Sequence, residues 1–75
     1  MKELIEYIAK SIADNPSAVV VTETQEDDRV VIRLQVADED KGKVIGRQGR
    51  VVQAMRTLLR VAAVKKGTRA TLEIP

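Results

Sequence analysis

The apolar residues of this 75-residue chain are spaced first for a helix, then for two strands, then for two helices and last for a strand. Few architectures accept that order. Leu4, Ile5, Ile8, Ala9, Ile12 and Ala13 recur in steps of one and three, which predicts an amphipathic helix over residues 2–13. Asp14-Asn15-Pro16 stops it, because the residue before a proline is pushed out of the helical region. Ala18 to Thr24 is rich in β-branched residues and reads as a strand, and Gln25 to Asp28 reads as a polar turn. Beyond the turn, Val30, Ile32, Leu34 and Val36 alternate with Arg29, Val31, Arg33 and Gln35, Val31 being the one apolar exception. A half-buried strand follows, paired with its predecessor as an antiparallel hairpin.

Ala37-Asp38 ends that strand, and Asp38 is placed to cap a short helix over roughly residues 39–45, with Glu39 and Asp40 in its first turn. Gly46 to Gly49 interrupts the helical pattern. A second helix runs from about Arg50 to Val64, with Val51, Val52, Met55, Leu58, Leu59 and Ala62 on one face. Lys65 and Lys66 suit its C-terminal dipole and Gly67 a left-handed cap. Thr68 to Ile74 alternates again, with Ala70, Leu72 and Ile74 inward. The order α-β-β-α-α-β predicts an α+β domain spanning residues 1–75, a three-stranded mixed sheet covered on one face by three helices. The helical crossover permits parallel pairing of the second and last strands.

What such a core can be made of is limited. Tyr7 is the only aromatic residue, so Val, Ile, Leu and Ala must fill the interior. Cys and His are both absent, which excludes disulfides and Cys/His zinc sites and fits a reducing compartment. The longest apolar runs, such as Ala18 to Val21 and Val61 to Val64, are far too short for a membrane span. A soluble, cytoplasmic chain without metal or cofactor is expected.

The net charge of +2 hides an asymmetry: residues 1–40 carry four basic and ten acidic side chains, residues 41–75 nine basic and one acidic. No acid occurs from Lys41 to Arg69. Such a one-sided field attracts a polyanion, although a solvated helix face gives the same count.

Within the basic half stands Gly42-Lys43-Val44-Ile45-Gly46-Arg47-Gln48-Gly49-Arg50. Glycine at both ends of a four-residue loop permits a tight turn and close approach of a ligand backbone. The following helix points its unsatisfied N–H groups at the loop, and Lys43, Arg47 and Arg50 add full charges. A phosphodiester fits that arrangement. A Walker A loop is excluded because no Gly-Lys-Ser/Thr follows at the required spacing, and a dinucleotide fingerprint because Val44 stands where its first glycine would fall. An isolated Gly-x-x-Gly, however, is far more often an ordinary corner between helices.

In context the segment says more. Val44-Ile45-Gly46-Arg47-Gln48-Gly49-Arg50, followed by an amphipathic helix and set in the order α-β-β-α-α-β, resembles the signature loop of type II KH domains. The whole chain is similar to the small stand-alone bacterial KH proteins of the KhpA (YlqC-like) family. The resemblance implies that the loop clamps the backbone of a short single-stranded RNA segment. It also implies an apolar floor for the bases. Lys43, Val44, Ile45, Gly46, Arg47, Gln48, Gly49, Arg50 and Val52 are the matching positions, and Ile32 or Leu34 either adds to the floor or is plain core. A role as post-transcriptional regulator or RNA chaperone, a homodimer, and pairing with a second KH-containing protein of the KhpB (Jag) type are further implications.

One tyrosine provides no stacking platform, so affinity is expected to be modest, salt-dependent and weakly sequence-selective. Catalysis is poorly supported without His or Cys, and Ser11 and Ser17 have no base beside them. Glu26, Asp27 and Asp28 read as a solvated hairpin tip, and Asp38, Glu39 and Asp40 as helix-capping acids. The rival reading is an assembly module, since Ala63 and Val64 extend the apolar surface of the long helix beyond one stripe. Duplex DNA binding through Arg50, Arg56 and Arg60 is weaker, because these side chains do not form one tight row.

Overall fold

In the computed structural model, which describes all 75 residues, helix α1 (Lys2–Ile12) turns the stripe its sequence spells out toward the interior, with Ile5 and Ala9 fully enclosed.

 
Pro16, whose ring fixes a helix-compatible φ, then opens a 3₁₀ turn over Pro16–Ala18, so the first strand starts two residues later than its β-branched run suggests. Strand β1 (Val20–Glu26) also runs further than expected. The turn into β2 (Arg29–Gln35) narrows to Asp27-Asp28, with Asp27 at φ 50°, a left-handed conformation that a short polar side chain tolerates.

Helix α2 (Lys41–Ile45), helix α3 (Arg50–Lys65) and strand β3 (Arg69–Glu73) complete the expected order. The sheet runs β1-β2-β3, antiparallel between β1 and β2 and parallel between β2 and β3, with Ile32 opposite Glu23 and Leu72. The α2–α3 crossover is what allows the parallel pair. This is an α+β fold with a mixed sheet, and its helices gather on one face.

A single cluster forms the core: Ile5, Ala9, Val19, Val21, Val30, Ile32, Leu34, Val44, Val52, Met55, Leu59 and Leu72. No aromatic ring takes part. Val31 accounts for the break in the alternation of β2. It points away from the helices yet is only 3% exposed, on the sheet face where Thr24 and Thr71 flank it across the strands. Arg33 closes over the same face by donating to Glu73 Oε1 at 2.9 and 3.3 Å.

Two expectations are corrected. Asp38 caps no helix: Asp38–Asp40 forms a 3₁₀ turn, α2 starts at Lys41, and neither start has a side-chain cap. Asp40 is instead fully buried, and its two carboxylate oxygens accept the backbone N–H groups of Asp14 and Asn15 at 3.0 Å each. On α3 the buried stripe is Val52, Met55, Leu59 and Ala63, whereas Leu58 is 47% exposed. The helix carries two adjacent apolar stripes, and the rest of the fold covers one. Gly67 ends α3 as expected: at φ 71° it donates to Val64 O while Thr68 N–H donates to Ala63 O, both at 3.0 Å.

Candidate nucleic-acid interface

Between α2 and α3 the chain takes left-handed conformations at three of four successive residues: Gly46 (φ 80°), Gln48 (φ 58°) and Gly49 (φ 72°). The two glycines differ in what requires them. A Cβ on Gly46 would lie 2.5 Å from Val51 Cγ2 and 2.9 Å from the Val51 backbone nitrogen, so the start of α3 packs directly on this residue. A Cβ on Gly49 would meet only Val52 Cγ1, at 3.8 Å, so there the backbone angle alone favours glycine. Gln48 Oε1 accepts a hydrogen bond from Arg50 Nη2 at 3.2 Å, and Gly49 N–H closes the turn on Gly46 O at 3.1 Å. Turns of this handedness gather successive N–H groups into a concavity suited to an oxyanion, and α3 begins directly after it.

The expected site residues separate into three groups. Arg47, Gln48 and Arg50 are exposed on or beside the loop, with Gly46 and Gly49 shaping it. Ile45 is partly exposed just before it. Val44 and Val52, expected on an apolar floor, belong to the core, as do Ile32 and Leu34. They anchor the ends of the loop and present little or no surface to a ligand. Lys43 is exposed but already engaged, donating to Asp14 Oδ2. That bond to the carboxylate holds the Lys43 ammonium above the usual lysine range.

A second surface was missed by sequence reasoning. A crevice runs between α3 and β3, lined by Arg56, Leu59, Arg60, Ala70, Thr71 and Leu72. Leu59 and Leu72 reach it from the core, and Arg56 donates to Leu72 O at 3.4 Å across it. Arg56 and Arg60 are one helical turn apart on the flank facing β3. Reading them together with Arg50 obscured this, since only the later pair borders the crevice. That four-residue interval was the available signal.

Ion pairing sharpens the charge asymmetry. Lys10, Arg29, Arg33, Lys41 and Lys43 each pair with a carboxylate. No salt bridge involves Arg47, Arg50, Arg56, Arg60, Lys65, Lys66 or Arg69. Unneutralised cations therefore run from the loop along α3 to the start of β3. No three His, Cys, Asp or Glu side chains converge as a metal site, and no helix is long and apolar enough to cross a membrane.

A three-stranded mixed sheet with this helix order and a glycine-bounded basic loop between the second and third helices defines a KH domain. More narrowly, the family model described as "KhpA/KhpB, KH domain" matches residues 2–74, and the chain belongs to that family. It is 51% identical over 74 residues to the RNA-binding protein KhpA of Caldanaerobacter subterraneus subsp. tengcongensis, covering 99% of each chain. The RNA-binding protein KhpA of Clostridium acetobutylicum is 49% identical with the same coverage. That of Treponema pallidum is 47% identical over 97% of this chain and 91% of its own.

Proposed function

We propose that the chain binds single-stranded RNA, without chemistry, by clamping the phosphodiester backbone at Gly46-Arg47-Gln48-Gly49 and resting adjacent bases on Ile45 and the α3–β3 crevice. The observation that carries this reading is the left-handed loop joined to a run of unpaired cations. The names of its relatives, RNA-binding proteins, agree with it. Arg47 and Gln48 face the backbone, Arg50 supplies flanking charge, and Arg56 and Arg60 border the path beyond. With a single aromatic ring in the chain, Tyr7 on α1, phosphate contacts dominate, and sequence preference is weak. Such a binder suits a cytoplasmic post-transcriptional regulator or RNA chaperone that must release its targets.

Fluorescence anisotropy of a degenerate single-stranded RNA across a salt series tests the clamp. Converting Arg47 and Gln48 together to aspartate should weaken binding by about tenfold or more, because a cation is lost and two repelling charges are added. The circular dichroism spectrum should not change, since both side chains are exposed. Equal affinity in a folded double variant would reject the clamp.

A second reading, association with another copy or with a KhpB-type KH protein, is favoured by one observation. Ala54, Leu58 and Val61 lie exposed along the uncovered stripe of α3, Val61 at 51%. Burial of that stripe would add to a core built without aromatics. Leu58→Asp is then expected to shift sedimentation velocity from dimer to monomer while the helix content holds. A chain already monomeric at high micromolar concentration would remove the self-association reading. The two roles are compatible, because the stripe and the crevice lie on different flanks of α3.

A further inference from the structure

The carboxylate of Asp14 is the one acid bonded to a cation of the proposed RNA site, and its position is fixed from beneath. Buried Asp40 accepts the N–H groups of both Asp14 and Asn15, which locks the corner after α1 against the start of α2. From that corner Asp14 Oδ2 takes a hydrogen bond from Lys43 Nζ, in the last turn of α2 and three residues before Gly46. Arg47, Arg50, Arg56 and Arg60 have no such partner. A phosphate oxygen and a carboxylate oxygen make the same demand on an ammonium group, so they compete for it.

We propose that Asp14 is an internal competitor of RNA phosphate for Lys43, limiting the affinity of the clamp and the number of cations it can offer. This rests on the RNA-clamp reading above. Asp14 acts through Lys43 and is a positioning residue. In the free protein Lys43 is already neutralised, so an arriving phosphate releases no counterion there and meets a carboxylate beside it. The consequence is weaker binding with a shallower salt dependence. Fast release follows, since most affinity differences within one interface appear in the off-rate.

The test is Asp14→Asn, compared with the unaltered chain and with the same change in a Lys43→Gln background. The backbone donors to Asp40 are untouched by the substitution, and thermal melting checks that the fold is kept. Binding of the degenerate single-stranded RNA should tighten about two- to fivefold, the range of an exposed ion pair. The slope of log K against log salt should steepen by about 0.7, one further phosphate contact on a single strand. Both changes should vanish in the Lys43→Gln background. An unchanged affinity and slope in Asp14→Asn, with the loop double-aspartate variant still losing RNA, would overturn the inference and leave the clamp standing. A gain that persists without Lys43 would overturn it as well, by reducing it to net charge. No RNA binding by the unaltered chain would remove both readings together.

Discussion

Replacing Asp40 by alanine is expected to lower stability by about 3–5 kcal/mol, the largest loss for any single polar side chain here. The carboxylate is fully buried and accepts two backbone N–H groups at 3.0 Å. Removing it strands both donors where little water reaches, at about 1–3 kcal/mol each, and leaves a small void. A domain of this length has roughly 4–11 kcal/mol in total, so the variant loses between about a quarter and all of it. Circular dichroism melting should show a midpoint lower by about 15 °C or more. Asp40→Asn keeps the volume and one carbonyl acceptor and should lose less. A midpoint shift under about 4 °C for the alanine variant would mean that the corner after α1 finds other partners for its N–H groups.

Asp40 also marks where sequence reading stops. Its position beside Asp38 and Glu39 allows a helix-capping reading, and nothing local distinguishes the three acids. The distinction comes from the corner after α1, 25 residues earlier, whose backbone folds back onto this turn. Interactions with a period are legible: Val30, Ile32 and Leu34 alternate in sequence and lie inward in the sheet. So is the Gly67 cap, whose cause lies within the preceding turn. The burial of Val31 and the exposure of Leu58 are not legible, because each depends on which neighbour happens to cover it, and of the α3–β3 crevice only the Arg56–Arg60 interval is. Val44 and Val52 stand beside the loop in sequence, and the resemblance to KH domains implies a place for them on the floor under the bases. A helix turns successive side chains through about 100°, and those two point into the core.

The two loop glycines look alike in sequence, but their alanine variants should differ strongly. Gly46 combines φ 80° with ψ 168°, a region that side chains essentially never enter. Its missing Cβ also leaves room for Val51, whose Cγ2 would be 2.5 Å away. Gly46→Ala therefore has to move the first turn of α3, and a loss of about 3 kcal/mol or more is expected. The concavity for phosphate should go with it, so RNA binding should be lost even in whatever fraction stays folded. Gly49→Ala makes only an ordinary contact with Val52 Cγ1 and bears the cost of a left-handed backbone alone, about 1–2 kcal/mol, with RNA binding reduced by a few-fold at most. Gly49→Asn should recover part of that loss, since asparagine tolerates this conformation. Urea unfolding and RNA anisotropy on the three variants give the comparison. Equal losses at both positions would mean that handedness alone sets the loop, and that the packing of Val51 on Gly46 does not hold the clamp in shape.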